Sequence, residues 1–208
     1  MKVICHRGLW KKTQDQNSLS SFKKAFEMNL GIEIDVRDLN SDIVISHDPP
    51  ETTKCVYLKD LFEMYNNTNA KNLLIAINIK SDGLSGQIKK LIKEYNIYNY
   101  FTFDMSNPEM FRYKNDGLNY FTRLSEHEMD PIMLNDAAGV WLDAFEGEWY
   151  DEKYILRLLG SVEEVCVVSA ELHGRDYKRQ WALLKKVNNH NNIVLCTDKP
   201  NEAKEYFV

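Results

Sequence analysis

The chain contains no block of lysine and arginine interleaved with aromatic residues, and its formal net charge is -5. A dedicated nucleic-acid binder is thereby excluded, because it would carry a basic footprint. A small anionic ligand is not excluded, since one pocket can differ in sign from the whole surface. No apolar run approaches membrane-spanning length, and Met1-Lys2-Val3-Ile4-Cys5 runs directly into His6, which leaves no room for a signal peptide. The expectation is a cytoplasmic protein without a transmembrane segment. The four cysteines, Cys5, Cys55, Cys166 and Cys196, are scattered and lack any C-x-x-C spacing. That argues against a zinc site or a disulfide framework and for small apolar thiols in a reducing compartment. Also missing are a GxGxxG turn, a P-loop, a linker and any low-complexity stretch. A single domain over residues 1–208 is expected.

What is present is a repeated alternation. Short apolar runs read as strands at Lys2–His6, Gly31–Val36, Leu73–Lys80, Tyr100–Met105, Asn119–Leu124, Gly139–Ala144, Glu164–Ala170 and Asn192–Thr197, with Asp42–His47 as an extra hairpin arm. Between them lie helical stripes. Leu58, Leu61, Phe62 and Tyr65 recur at helical spacing, as do Ile88, Leu91, Ile92 and Tyr95. Tyr177, Trp181, Leu184 and Val187 make another stripe, and Leu19, Phe22 and Phe26 a shorter one. Weaker patterns place a fourth and a fifth helix near Pro108–Asn115 and His127–Asn135. Strands alternating with helices imply a parallel sheet covered by helices, and eight repeats imply an α/β fold of the (β/α)8 TIM-barrel class. At 208 residues such a barrel is compact, with few insertions.

Active sites in that class lie at the C-terminal ends of the strands. His6, Glu33 with Asp35, Asn78 with Lys80, Asp104, Arg123, Asp143, Glu171 with His173, and Asp198 all fall at or just after such ends, and His47 ends the hairpin arm. His6 and His47 are the candidate acid and base, because imidazoles exchange protons near neutral pH. Arg7 is suited to gripping phosphate oxygens in pairs, or a neighbouring carboxylate, and Lys80 is a second cation or a surface lysine. Glu33 and Asp35 share one strand face and need a neutralising partner. A hard divalent cation, Mg2+ or Ca2+, is one answer; a salt-bridge network with Arg7, Arg37 or Lys80 is the other.

His6-Arg7-Gly8, Asn17-Ser18, Glu33-Ile34-Asp35-Val36 and His47-Asp48 together resemble the glycerophosphodiester phosphodiesterase family of phospholipase C-like barrels. Ile75-Ala76-Ile77-Asn78-Ile79-Lys80 resembles that family's third-strand motif, and Thr197-Asp198-Lys199-Pro200 its closing T-D-x-P. The resemblance implies a phosphoric diester hydrolase with His6 and His47 as general acid and base. It further implies that Glu33, Asp35 and the Asn78 position hold a divalent cation, and that Arg7 and Lys80 hold the phosphate. A small glycerophosphodiester-like or sugar-phosphodiester molecule is the implied substrate.

The chain departs from the family pattern in three places. Gln16 stands where an acid is usual in Glu-Asn-Thr, Asn78 stands where another acid is usual, and Pro49–Lys59 leads to the next helix without the family's inserted subdomain. Loss of those acids weakens a cation site or moves it toward Asp104, Asp143 or Glu171. Two rivals follow: a barrel that binds a phosphodiester without cleaving it, and a lyase that releases a cyclic phosphate. In the late segment Ser169–Arg175, Glu171 and His173 share a face if the strand continues, and Arg175 opens the next helix. Glu171 and Arg175 are therefore candidates for reading the leaving group, against the reading of an ordinary capped loop. Composition leaves the oligomeric state open.

Overall fold

The computed structural model describes residues 1–50, 55–68 and 72–207. The chain opens with strand β1 (Lys2–Cys5). Cys5–Tyr120 form one compact unit, and Met1–Ile4 with Phe121–Val208 form another.

In the unit Cys5–Tyr120 the first helix, α1 (Leu19–Glu27), is started by Ser18, whose side chain accepts from the Ser21 amide, and it buries Phe22, Ala25 and Phe26. Strands β2 (Gly31–Leu39) and β3 (Asp42–Ile45) form an antiparallel hairpin. Its two turn residues, Asn40 and Ser41, both have positive φ, 50° and 68°. A two-residue turn of that hand matches the twist of the strands it joins. A short β4 (Val56–Tyr57) adds to β3 and leads into α2 (Leu58–Asn66), which buries Leu58, Leu61, Phe62 and Tyr65. The passage from β3 to α2 is too short for an inserted subdomain; residues 51–54 within it lie outside the described residues. Strand β5 (Ile75–Ile79), wholly buried, pairs parallel with β2 and sets Asn78 beside Asp35. Helix α3 (Ser85–Tyr95) stops at left-handed Asn96. Strand β6 (Tyr100–Phe103) continues the parallel ladder from β5. The expected fourth helix is real: α4 (Asn107–Asp116) has Pro108 in its first turn and ends at Gly117 with φ 70°.

In the other unit, β7 (Phe121–Leu124), β8 (Gly139–Leu142), β9 (Glu164–Val168) and β10 (Ile193–Thr197) form consecutive parallel pairs. Gly139 is forced by packing, since a Cβ there would lie 2.4 Å from the Phe121 ring and 2.5 Å from the Glu164 carbonyl. The fifth helix expected near His127–Asn135 does not form. Ser125 and Glu128 close a backbone turn on each other, and only a 3-10 turn, Leu134–Asp136, follows. Pro131 lacks the amide a helix would need at that point. The helix between β8 and β9 is instead α5 (Glu152–Leu159), capped by the Asp151 carboxylate accepting from the Tyr154 amide. Helices α6 (Lys178–Lys185) and α7 (Pro200–Tyr206) complete the series. Val140, Leu142, Val165, Val167, Trp181, Leu184, Ile193 and Leu195 belong to this unit's buried core.

Among the described residues, strands β1, β2 and β5–β10 alternate with seven α-helices, and the β3–β4 arm is an appendage to the second strand. That order is the (β/α)8 TIM-barrel class, as the periodicity implied. Among the described residues no helix is long and apolar enough to cross a membrane.

Candidate functional site

Six of the expected site residues, His6, Arg7, Glu33, Asp35, Asn78 and Lys80, gather in the unit Cys5–Tyr120, in the turn after β1, along β2 and at the end of β5. After β1 the chain turns sharply: the Gly8 amide donates to the Cys5 carbonyl, and Arg7 and Gly8 have φ 55° and 87°. Gly8 is required twice over, by its φ and because a Cβ would lie 2.4 Å from Ser21 Oγ. The turn is fixed from both sides. The Arg7 amide donates to Glu33 Oε2 at 3.1 Å, and the Arg7 carbonyl accepts from the Asn17 amide at 3.0 Å. His6 is held by its carbonyl, which accepts from Trp10 Nε1, and its Nε2 lies 4.0 Å from Glu33 Oε2.

Asp35 is the electrostatic centre. It is fully buried, yet Arg7 Nε lies 2.9 Å from Oδ2 and Lys80 Nζ 3.3 Å from Oδ1. The Arg7 Nε–H does not point along that line, so the contact is an ion pair rather than an aligned hydrogen bond. The aligned donor is Asn17 Nδ2 at 2.9 Å. Asn17 Oδ1 in turn accepts from the Asp35 amide at 3.4 Å, so one side-chain amide clamps the loop before α1 onto β2. Glu33, two residues back on the same strand face, has its carboxyl pushed up to about 7, chiefly by burial and next by the charge of Asp35. Gln16 Oε1 accepts from Arg7 Nη1 at 3.4 Å. Asn78 Oδ1 is buried and has no hydrogen-bond partner among the described residues.

His47 follows β3. Its neighbour Ser46 donates its amide to the Asp35 carbonyl, and its own carbonyl accepts from Arg37 Nε at 2.9 Å. The imidazole is half-exposed, with Nδ1 2.9 Å from Asp48 Oδ1. The expected network with Arg37 therefore runs to the backbone of His47 rather than to the carboxylate pair.

The divalent cation implied by the resemblance does not suit these residues. Among the described residues no group of three or more His, Cys, Asp or Glu side chains is arranged to hold a metal ion. The charge of Asp35 is already shared by Arg7 and Lys80, burial holds the Glu33 carboxyl toward its neutral form, and the other oxygen donors, Gln16 and Asn78, carry no charge. A hard cation draws its binding energy from anionic oxygens whose charge is not already neutralised.

The late candidates Glu171 and Arg175 are held by local hydrogen bonds. Strand β9 stops at Val168 and Ala170–His173 is a 3-10 turn, so Glu171 and His173 do not alternate on a strand face. Glu171 accepts from Ser169 Oγ, Thr197 Oγ1 and the Asp198 amide, tying the ends of β9 and β10 together. Arg175 does not open a helix, since α6 starts at Lys178. It donates to Glu148 Oε1 at 2.7 Å and to the Ala144 carbonyl at 2.6 Å. A pair that the spacing alone did not reveal is His173 Nε2 against buried Asp143 Oδ1 at 2.7 Å, with the Phe145 ring 4.8 Å from the imidazole. Thirty positions separate the two partners, and only the adjacency of β8 and β9 brings them together. Thr197-Asp198-Lys199-Pro200 works as a local stop: the Lys199 amide donates to Thr197 Oγ1 and Pro200 begins α7.

No family model and no curated protein matches the chain. Solved structures do. A glycerophosphodiester phosphodiesterase from Agrobacterium tumefaciens is similar at TM-score 0.73 and 13% identity, over 99% of this chain and 98% of that one. A protein from Silicibacter pomeroyi assigned as a glycerophosphoryl diester phosphodiesterase is similar at TM-score 0.72 and 11% identity, over 100% and 93%. A tryptophan synthase α-subunit from Pyrococcus furiosus is similar at TM-score 0.59 and 12% identity, over 99% and 94%. At these identities the likeness establishes the fold, and the chemistry must be argued from the side chains.

Proposed function

We propose that this chain cleaves a small phosphodiester by general acid–base catalysis, with His6 and His47 exchanging protons and Arg7 and Lys80 gripping the non-bridging oxygens. The observation that carries the reading is the approach of Arg7 and Lys80 to one buried carboxylate beside His6. Such a site offers an anion two cations and a proton carrier. The likeness in fold to two phosphodiesterases supports the same class of substrate. A glycerophosphodiester-like or sugar-phosphodiester molecule suits it best.

In the reaction a hydroxyl oxygen attacks phosphorus and the bond from phosphorus to the leaving alcohol oxygen breaks. One imidazole takes the proton of the attacking hydroxyl, and the other, protonated at the start, gives its proton to the departing alkoxide. If water attacks, the products are a monoester and an alcohol. If a neighbouring hydroxyl of the substrate attacks, the first product is a cyclic phosphate, which phosphorus NMR distinguishes. Arg7 and Lys80 offset the charge that builds on the phosphoryl oxygens. Each histidine contributes about 10²–10⁴ in rate, so His6→Ala and His47→Ala should each lower kcat by that order on a panel of phosphodiesters. Undiminished turnover in both variants would falsify the assignment. The amides at Gln16 and Asn78 favour a second reading, a barrel that holds a phosphodiester without cleaving it. Tight binding of the panel with no turnover of any member would establish that alternative.

A further inference from the structure

The charges in the pocket close on themselves. Glu33 and Asp35 supply two carboxylates, and Arg7 and Lys80 supply two cations, both within 3.3 Å of Asp35 oxygens. Gln16, on Arg7 Nη1, and Asn78, opposite Asp35 in the β2–β5 register, add oxygen atoms but no charge. Each oxygen of Asp35 already faces a cation, and Oδ2 also accepts from Asn17 Nδ2. Glu33 Oε2 accepts from the Arg7 amide and has His6 Nε2 4.0 Å away. A divalent ion added here would find Asp35 already paired with two cations and only Glu33, held by the Arg7 amide, left to offer an anionic oxygen, and it would have to shed its water beside a guanidinium and an ammonium.

We infer that the site works without a resident divalent cation, with Arg7 and Lys80 as its permanent positive charges and as the groups that take a phosphate's oxygens. The charge balance stands by itself; the anion role rests on the phosphodiester reading. Arg7 Nε carries no aligned hydrogen bond among the described residues, which leaves its N–H to be satisfied by an incoming oxygen. When a phosphate enters, the two cations exchange Asp35 for the new anion, and Asp35 keeps its hydrogen bond from Asn17.

The test uses the full chain and three probes: Mg2+ alone, Ca2+ alone, and inorganic phosphate with and without a chelator, each by calorimetry. We expect no saturable heat from either metal up to about 10 mM, and a phosphate affinity that the chelator changes less than about twofold. Arg7→Met and Lys80→Met should each weaken phosphate binding about tenfold in chelator. The double variant Gln16→Glu with Asn78→Glu should gain saturable Mg2+ binding, because it adds two uncompensated carboxylates. Should that variant fail to fold, the titrations of the unmodified chain decide the matter alone. Saturable binding of Mg2+ or Ca2+ by the unmodified chain, or loss of phosphate binding on chelation, overturns the inference. Absence of phosphate binding under both conditions overturns the anion role of Arg7 and Lys80. Failure of the histidine variants to lose turnover leaves the charge balance untouched and sinks only the acid–base reading.

Discussion

Replacing Asp35 by Asn keeps the shape of the side chain and removes one negative charge from the middle of the cationic pair. Its carboxylate is buried, 2.9 Å from Arg7 Nε and 3.3 Å from Lys80 Nζ, while those two side chains keep only 20% and 21% of their exposure. Removing one partner of a buried ion pair costs about 3–5 kcal/mol, because the remaining charge stays out of water. Both cations here reach some solvent, so the lower end applies, and roughly 3 kcal/mol is the expected loss. For a chain of this length that corresponds to a fall in Tm of roughly 6–12 °C. Part of the same change should favour ligand. Asp35 competes with any phosphate for Arg7 and Lys80, and its removal should tighten phosphate binding in chelator by about tenfold, or 1.4 kcal/mol. Guanidinium denaturation and phosphate calorimetry on one preparation of Asp35→Asn measure both effects. Lower stability with tighter phosphate binding is the expected pair of results. Weaker phosphate binding would refute the reasoning, since it would mean that Asp35 recruits or aims the cations rather than competing for them.

Glu33 gives a pH signature. Its carboxyl is raised in the folded chain, so between about 4.5 and about 7 the native state holds a proton that the unfolded state has released. Stability from this group is therefore full below the lower value and is lost as pH rises to the upper one, by about 3 kcal/mol at most. Glu33→Gln should flatten the dependence of the denaturation midpoint over that window; an unchanged slope would show that the burial of this carboxyl does not govern it. Gly8→Ala combines a φ of 87° with a Cβ 2.4 Å from Ser21 Oγ. It should cost about 2 kcal/mol or more and disturb the turn that carries His6 and Arg7, seen as lower Tm together with weaker phosphate binding.

The repeat of strands and helices was legible because buried parallel strands read as continuous apolar runs and surface helices as stripes. The misreadings share one physical cause. His127–Asn135 carries helix-forming residues, but Pro131 and the Ser125–Glu128 turn override them. Strand β9 ends at Val168 rather than Ala170: the Ser169 amide still donates across the pair to the Cys196 carbonyl, but Ser169 Oγ turns to Glu171 and the Asp198 amide donates to Glu171 Oε1, ending the ladder. In both places a short-range hydrogen bond outweighs local propensity. The site was legible where its partners lie on one motif or on neighbouring strands, as with Glu33 and Asp35 or with Asn78 and Lys80. In the sequence Asn17 stands out only as part of a motif. Its role as a clamp on Asp35 depends on a left-handed backbone at position 17, φ 52°, which no spacing rule announces.

One fold accommodates both a tryptophan synthase subunit and glycerophosphodiester phosphodiesterases, so the barrel itself does not select the chemistry. On the function proposed here, selection falls to the few side chains that β1, β2 and β5 carry or lead into, and there the sum of charges matters more than any single residue. A histidine beside a carboxylate pair reads as a metal-assisted site when further acids stand near, and as a cation-lined anion site when those acids are amides. In this chain Gln16 engages Arg7, and Asn78 lies beside Asp35 in the sheet register. Each occupies a position from which a carboxylate would change how Arg7 and Lys80 share Asp35. The two amides and the two cations are therefore best understood as one arrangement. Placing a carboxylate at either position should alter the pairing of Asp35 before it alters anything else.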